Sequence, residues 1–216
     1  PRNNYELITL HGVWARECEM ERVPMHHGVM EIDSKRGSSS ATNNPFMAVV
    51  APHTDEFRGE AYGINLVWSG SYVIKAEAGT GGASRILGGI HDFDFRWKLN
   101  AGETFYTPEA VLVYAANGLN AMSQTFHDLY RGYLIPEKHV YSPRPVVINN
   151  WEGTYFDFDN ERLMAIVDAV RGTGIDTFVL DDGWFGARNH DHAGLGDWYE
   201  NRTKFPDGLA SFVRKV

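Results

Sequence analysis

Two short apolar runs separated by one helical pattern constrain the fold of this chain more than any other feature of its sequence. The first run covers residues 146–148, directly after a proline, and the second covers residues 177–180. Between them, apolar side chains recur at the i, i+3, i+4 and i+7 spacing of an amphipathic helix, at Leu163, Ile166, Val167 and Val170. Residues that commonly end helices flank this pattern, namely Asp159 or Asn160 before it and Gly172 or Gly174 after it. The sequence therefore predicts two buried strands joined by a helix, which is a β-α-β unit.

An indole and two carboxylates follow the two predicted strands. Trp151 lies just after the first strand, and Asp181 and Asp182 come directly after the second. A crossover of this length joins parallel strands in nearly every case, so both strands end at the same edge of the sheet. Ligands bind at that edge in open α/β sheets and in β/α barrels. Because carboxylates accept hydrogen bonds from hydroxyls and an indole covers the apolar face of a pyranose, we predict that these three residues belong to a sugar site.

The two aspartates do not fit the catalytic pair of a glycosidase. Neighbouring residues on a strand point to opposite faces, whereas retaining enzymes need carboxyls that face each other at about 5 to 5.5 Å. A bend at Gly183 would instead let both aspartates accept hydrogen bonds from one ligand. Structural interpretations also stay open: one aspartate can cap a turn while the other is solvated, and Trp151 can pack at the mouth of the sheet.

Net charge and motif spacing exclude several other ligands. The formal charge of −8 opposes binding to nucleic acid or to an anionic membrane, and no apolar run approaches the roughly 18 residues of a membrane span. The glycine-rich segment 79–82 lacks the Lys-Ser/Thr that follows in a phosphate loop. Segment 189–192, Asn-His-Asp-His, does not match the spacing of zinc or iron ligands. We therefore predict a neutral ligand, no cofactor, no metal, and no nucleic-acid or membrane partner.

The cysteine content indicates a cellular compartment. Cys18 is the single cysteine, so an internal disulfide is excluded. A reducing compartment suits such a chain, and we predict a cytoplasmic location.

A closed β/α barrel needs eight strands and about 250 residues. Because the residues after 145 are too few for that, we expect the sequence to be an internal piece of a larger protein.

The region from Pro1 to about Thr107 has the pattern of antiparallel β structure. Aromatic and apolar residues alternate with polar ones at strict period two, at Phe93, Phe95, Trp97 and Leu99, and predict a strand with one buried face. Ser69-Gly70 predicts a hairpin turn between strands at residues 64–68 and 72–78. Residues 111–114 predict a further strand. Short strands with frequent turn signals indicate an antiparallel β-sandwich.

A helix and a proline-rich connection end the β region. Apolar residues fall on one helical face after Asn117-Gly118, at Leu119, Met122, Phe126, Leu129, Tyr130 and Tyr133. Prolines at 136, 143 and 145 then stop helices and stiffen the connection. We predict a β-sandwich domain with its connecting helix over residues 1–135 and the start of a β/α domain over residues 136–216. The polar segment 36–44, RGSSSATNN, predicts a surface loop.

Long stretches of the sequence also carry a family resemblance. In the second half these are PVVINNWEGTYFDFDNERL, GIDTFVLDDGWFGARNHD and LGDW. In the first half they are HGVWARE, RGSSS with NNPFMA, GEAYGINLVWSGSY, GETFYTPEAVLVY and GLNAMSQTFHDLYRGYL. Together they resemble the bacterial alpha-galactosidases of glycoside hydrolase family 36, and the likeness covers nearly the whole chain.

The resemblance implies a mixed fold and a carbohydrate substrate. Residues from Pro1 to about Tyr114 would be the later half of a β-supersandwich, followed by the first two β/α units of a TIM (β/α)8 barrel. Family members hydrolyse terminal α-linked galactose from melibiose, raffinose and related oligosaccharides, with retention through a covalent galactosyl-aspartate. By this likeness Asp181 and Asp182 would hold the 4- and 6-hydroxyls of galactose, and Trp151 would line the same subsite. Trp14 would reach the sugar site of a neighbouring subunit in a homotetramer.

The catalytic pair of that family is missing from the sequence. Its nucleophile, an Asp in a Lys-Trp-Asp motif, and its acid/base Asp lie on later barrel strands, and no Lys-Trp-Asp occurs in the chain. We therefore predict that the segment has no catalytic residue and is inactive alone. Two alternatives stay open: a raffinose-type galactosyltransferase, which shares the fold and the intermediate, and a noncatalytic carbohydrate-binding module, for which the sandwich would suffice.

Overall fold

The computed structural model describes residues 4–216, which form two compact units. The first unit extends to Val140, and the second covers Tyr141–Val216. The predicted β region begins at Pro1, which lies outside the described residues. The domain boundary that the sequence places between residues 135 and 136 stays a prediction. No helix among residues 4–216 is both long and apolar enough to cross a bilayer.

The first unit contains two antiparallel sheets. Its strands are β1 (Glu6–Val13), β2 (Arg16–Pro24), β3 (Gly28–Ser34), β4 (Asn43–Val50), β5 (Ala61–Val67), β6 (Tyr72–Ala78), β7 (Ser84–Ile90) and β8 (Glu109–Ala115). Five of them form one sheet in the order β2-β1-β4-β5-β8, and three form a second sheet in the order β3-β6-β7. Every neighbouring pair is antiparallel. The predicted antiparallel sandwich is confirmed.

The second half of strand β4, in the five-stranded sheet, is buried on both faces. Met47 and Val49 of β4 point towards the three-stranded sheet and pack in the same cluster as Tyr72 and Ile74. Their neighbours on β4 point the other way, where Met122 and Phe126 of helix α1 (Gly118–Leu129) complete a second cluster with Ile8, Ala48, Val50 and Val113. Alternate side chains of one strand therefore enter two different cores, which explains the continuous apolar run at this point in the sequence.

The predicted helix after Asn117-Gly118 is confirmed. Helix α1 is followed by one π-helical turn over Tyr130–Leu134 and by the short helix α2 (Glu137–Val140). Gly118 has a φ of +85°, and a Cβ at this position would lie 2.6 Å from the backbone nitrogen of Arg58. The helix therefore begins where a glycine allows both the backbone angle and the close approach of the 55–58 loop.

The hairpin predicted at Ser69-Gly70 is wrong. β5 lies in the five-stranded sheet between β4 and β8, whereas β6 lies in the three-stranded sheet between β3 and β7. Both edges of β5 are already paired, so the chain passes at this corner from one sheet to the other. The turn residues correctly mark a change of direction, but they do not encode which sheet receives the next strand.

The strand predicted over residues 93–100 is also wrong. Among the described residues no strand pairs with this segment, and Asp94 has a φ of +52°, which interrupts extended geometry. Phe95 and Trp97 contact the ring of Phe105, with Trp97 and Phe105 centroids 4.9 Å apart, and Phe93 is 61% exposed. Alternation alone does not form a strand, because the backbone groups also need a partner.

The second unit contains the predicted β-α-β arrangement. β9 (Val147–Asn149) and β10 (Thr177–Val179) are parallel, with Asn149 opposite Val179. Between them lie the short helix α3 (Trp151–Thr154) and helix α4 (Asn160–Val170), and helix α5 (Leu209–Val213) follows later. Leu163 and Val167 of α4 form the core of this unit with Phe158, Phe205 and Phe212. The helical period identified in the sequence is therefore the packed face of α4.

The two strands of this unit are less buried than predicted. Val147 is 49% exposed, and all three residues of β10 are only half-buried. Within residues 4–216 this sheet has just two strands, and the packed helix α4 leaves part of its surface open.

Asp159 caps helix α4, and its removal is expected to destabilise the second unit. Its carboxylate accepts a hydrogen bond from the backbone nitrogen of Arg162 (2.9 Å). We predict that Asp159→Ala lowers the free energy of unfolding by about 1 kcal/mol, because an N-terminal amide of the helix loses its acceptor. Urea unfolding, followed by hydrogen exchange of the α4 amides, measures this loss.

Asp168→Ala is the matched control, since Asp168 lies near the other end of the same helix. An acid there is not favoured by the helix dipole, and its pair with Arg171 is exposed, so we expect a change below about 0.5 kcal/mol. An equal loss in both variants would contradict the capping role of Asp159.

Candidate functional site

Trp151, Asp181 and Asp182 lie at one edge of the two-stranded parallel sheet. β9 ends at Asn149 and β10 ends at Val179, so Trp151 and Asp181 are each the second residue beyond a strand end. The structure thus places the indole and the two acids together, as parallel pairing requires. Their role in binding a sugar stays a prediction.

The side chain of Asn149 joins Trp151 to Asp181. Its Oδ1 accepts a hydrogen bond from the backbone nitrogen of Trp151 (2.7 Å), and its Nδ2 donates to Oδ2 of Asp181 (2.7 Å). One amide group therefore fixes both the start of helix α3 and the orientation of the Asp181 carboxylate.

Asn150 forms a second, buried link between the two strand ends. Its Oδ1 accepts from the backbone nitrogen of Asp181 (2.8 Å), and its Nδ2 donates to Oγ1 of Thr154 (2.9 Å). Asn150 is only 1% exposed. Because buried polar groups need partners, this amide ties the Asp181 backbone to helix α3.

Asp182 is paired with Arg188, which the sequence analysis did not identify. Arg188 Nε donates to Oδ1 (2.8 Å) and Oδ2 (3.0 Å) of Asp182, and Nη2 donates to Oδ2 (2.7 Å). The hydrogen bonds from Arg188, with smaller effects from the Gly183 amide and Lys204, hold the pKa of the Asp182 carboxyl below its usual range. Arg188 lies in a loop without periodicity, so no spacing pattern connected it with Asp182.

A bend at Gly183 follows the two aspartates, as predicted. Its φ is +87°, and a Cβ here would meet the ring of Phe156 at 3.0 Å. The carbonyl of Gly183 accepts a hydrogen bond from Lys204 Nζ (2.9 Å), which also donates to the carbonyl of Phe156 (2.8 Å). Burial lowers the pKa of Lys204. This buried ammonium group therefore holds the bend against the loop that follows Trp151.

Trp151 is half-buried and is supported by two other rings. Tyr155 and Phe156 meet it edge to face, with centroid distances of 5.2 and 4.9 Å. Such contacts favour a fixed ring orientation. Trp151 is thus a supported aromatic surface next to the acids.

Trp14 belongs to the other compact unit. It lies at the turn between β1 and β2, next to Ala15 with a φ of +60°, and it is 84% exposed. An exposed tryptophan at a hairpin tip is available for contact with another molecule. Its predicted role in a neighbouring subunit stays a prediction.

The histidines of segment 189–192 are exposed. In the first unit, Glu31, Asp33 and His91 bring ligand-type atoms within 4.8 Å of one another. Lys75 Nζ lies 3.0 Å from Glu31, and Lys35 Nζ lies 3.1 Å from Asp33, so two ammonium groups already balance these acids. An ion-pair cluster accounts for this arrangement.

Two family models together match nearly the whole chain. A model of the Glycosyl hydrolase family 36 N-terminal domain matches residues 1–100, and the Melibiase model matches residues 104–216. The chain therefore belongs to glycoside hydrolase family 36.

Individual relatives share about half of their aligned residues with this chain. Alpha-galactosidase AgaA of Geobacillus stearothermophilus is 47% identical over 216 residues, which are 100% of this chain and 30% of the relative. Alpha-galactosidase Mel36A of Lactobacillus acidophilus is 46% identical over 213 residues, which are 99% of this chain and 29% of the relative. The chain thus spans about 30% of the length of the curated relatives it matches.

Solved structures of such relatives have the same fold. A variant of AgaA in complex with 1-deoxygalactonojirimycin matches with a TM-score of 0.94 at 47% identity, covering 100% of this chain and 30% of that chain. The alpha-galactosidase from Lactobacillus brevis matches with a TM-score of 0.94 at 44% identity, covering 100% and 29%. Another AgaA variant, in complex with raffinose, matches with a TM-score of 0.92 at 47% identity, covering 100% and 30%. The predicted fold class, a sandwich followed by the start of a β/α domain, is confirmed.

The two adjacent asparagines are expected to differ in their contribution to stability. We predict that Asn150→Ala lowers the free energy of unfolding by about 2 to 4 kcal/mol, because the Asp181 amide and the Thr154 hydroxyl each lose a partner in a buried place. Asn149→Ala is the matched control; Asn149 is exposed, water can replace its amide, and we expect a loss below about 1 kcal/mol. Urea unfolding of both variants measures the difference, and equal losses would be inconsistent with the buried link.

Proposed function

We propose that this chain is a segment of a retaining α-galactosidase that releases terminal, non-reducing α-D-galactose from melibiose- and raffinose-type oligosaccharides. It carries part of the galactose subsite at the start of a TIM barrel. The observation that supports this most strongly is the grouping of Trp151, Asp181 and Asp182 at one strand edge in a chain of family 36. The complexes of related enzymes with raffinose and with stachyose name the same class of substrate.

The carboxylates of Asp181 and Asp182 differ in how many further hydrogen bonds they can accept. Each carboxylate oxygen can accept about two hydrogen bonds. Oδ1 of Asp181 accepts from the Asp182 amide (2.8 Å) and Oδ2 accepts from Asn149, so each oxygen retains one position for a sugar hydroxyl. Oδ1 of Asp182 accepts from Arg188 Nε and from the Gly183 amide (2.7 Å), and Oδ2 accepts from Arg188 Nη2 (2.7 Å) and, at 3.0 Å, from the same Nε. A sugar hydroxyl at Oδ2 therefore replaces the longer part of a divided Nε bond. Asp181 and Asp182 bind the 4- and 6-hydroxyls of galactose in this arrangement.

The electrostatics of the site favour binding without proton transfer. The low pKa of Asp182 keeps it ionised, and an ionised acceptor forms stronger hydrogen bonds with hydroxyls than a neutral one. The same property makes Asp182 a poor proton donor at neutral pH. The exposed face of Trp151 covers the apolar side of the ring, so this part of the site holds the sugar and the chemistry takes place elsewhere.

The nucleophile and the acid/base belong to other strands of the full-length protein. No Lys-Trp-Asp motif is present among the 216 residues. We therefore assign no catalytic residue to this segment.

Two further properties of the protein are part of the proposal. Trp14, exposed on its hairpin, contacts the sugar site of a neighbouring subunit in a homotetramer. The protein is cytoplasmic in this proposal, in agreement with the one cysteine of this chain, Cys18, which is free.

An activity assay tests the division between binding and chemistry. We expect the 216-residue segment to show no turnover of an aryl α-galactoside, whereas the full-length protein hydrolyses it. Release of the aryl group, followed by absorbance, measures both. Turnover by the isolated segment would refute the assignment of the catalytic pair to other strands. Tight galactose binding to the sandwich, insensitive to Asp181 and Asp182, would instead favour a carbohydrate-binding module.

Substitution of Asp182 tests the binding role directly. We predict that Asp182→Asn in the full-length protein weakens galactose binding by about 1.5 to 3 kcal/mol, because a charged acceptor is replaced by a neutral one. Isothermal calorimetry with galactose measures the affinity. Asp176→Asn is the matched control, since Asp176 is an exposed acid at the other end of β10, and its affinity should not change. Unchanged affinity in Asp182→Asn would count against the proposed contact.

A further inference from the structure

Each of the three nitrogens of the Arg188 guanidinium group donates to a protein partner. Nε and Nη2 donate to Asp182, and Nη1 donates to the carbonyl of Ala193 (2.7 Å). The Arg188 side chain is 6% exposed, against 23% for Asp182. Arg188 thus has almost no surface to offer a ligand, and any effect it has on binding must pass through its neighbours.

Arg188 also contacts the aromatic support of Trp151. Its guanidinium carbon lies 5.6 Å from the centroid of the Phe156 ring, a cation–π distance. Phe156 in turn meets Trp151 edge to face at 4.9 Å. The same side chain therefore touches both the acid and the ring that positions the indole.

We propose that Arg188 is a positioning residue of the galactose subsite, which fixes the plane of the Asp182 carboxylate and the aromatic support of Trp151 without touching the sugar. This inference rests on the proposed function. Two parallel N–H···O bonds from a planar guanidinium hold a planar carboxylate in one orientation, which a single-point donor such as lysine does not do. A carboxylate held in one plane presents its oxygens to a sugar hydroxyl at a fixed angle.

The charges around Asp182 make Arg188 difficult to replace. Lys204 also acts on Asp182 as a cation, but its Nζ is bound to the carbonyls of Phe156 and Gly183. Asp191 acts on Arg188, and Asp157 acts on Lys204, so both add negative charge near the pair. Loss of Arg188 leaves a partly buried carboxylate without its hydrogen-bonded cation, which raises the pKa of Asp182.

Galactose affinity depends on pH in a definite direction, because the ionised form of Asp182 is the form that accepts the hydrogen bond. In the unsubstituted protein the pKa of Asp182 is depressed, so binding to this group is retained as the pH falls from 7 towards the usual range of a carboxyl. With the pKa raised, Asp182 becomes protonated at higher pH, and affinity is lost as the pH falls through that value.

Galactose affinity of the full-length protein, measured by calorimetry at several pH values, tests the inference. We expect Arg188→Met to weaken binding about tenfold at pH 7 and by a further factor of about five at pH 5, since both geometry and charge are lost. Arg188→Lys retains the charge and loses the fork, so we expect about threefold weaker binding with little pH dependence. Arg162→Met is the control, because Arg162 pairs with the exposed Asp157 in the same unit, and we expect less than a twofold change.

A double-mutant cycle separates positioning from general destabilisation. In the Asp182→Asn background, Arg188→Lys is expected to change galactose affinity less than twofold, because the group through which Arg188 acts has been altered. The inference would be overturned if neither Arg188 variant changed the galactose affinity. It would also be overturned if Arg188→Lys caused the same loss of affinity in the unsubstituted protein and in the Asp182→Asn background. If Arg188→Met does not fold, the affinity of Arg188→Lys, measured with and without Asp182→Asn, still tests the positioning role. Absence of galactose binding by the unsubstituted protein would overturn the proposed function itself, whereas failure of the positioning role leaves that binding intact.

Discussion

The parallel pairing of β9 and β10 is the interaction on which the site depends. Each strand has three residues, so few backbone hydrogen bonds hold the pair together. Packing of helix α4 through Leu163 and Val167, and the buried amide of Asn150, stabilise it further. Because parallel strands end at the same edge, residues separated by a whole helix in the sequence become neighbours. The topology itself therefore brings the indole and the acids to the same edge.

The two acids of the site are alike in sequence and different in surroundings. Asp181 is held by neutral donors, from Asn149 and from the following amide, whereas Asp182 is held by a buried cation. Asp181 therefore keeps a free position on both oxygens, and Asp182 has a fixed plane and a depressed pKa. Adjacent identical residues thus differ in what they offer, one having open acceptor positions and the other a fixed orientation.

Local patterns predicted those parts of the fold that local physics determines. The period of Leu163 and Val167, and the cap at Asp159, identified helix α4, since both depend on residues within a few positions of one another. Residues 93–100 alternate as a strand does, but pairing depends on a distant partner that alternation does not encode. The same holds for Ser69-Gly70, where the turn is local and the choice of sheet is not. The residues at the strand ends of the site were predictable from the sequence. Arg188 was not, because it reaches Asp182 from a loop that has no periodic pattern.

The register of β9 and β10 has a consequence for changes in chain length. Trp151 and Asp181 each follow a paired residue by two positions, Asn149 and Val179 respectively. Residues inserted in the surface turn around Gly172 would leave this alignment untouched, because the strands and not the crossover set it. Deletion of the single residue Leu180 would shift both acids by one position and reverse the side each one faces. Natural variation in length is therefore expected in the turn before β10 and excluded from the two residues after it.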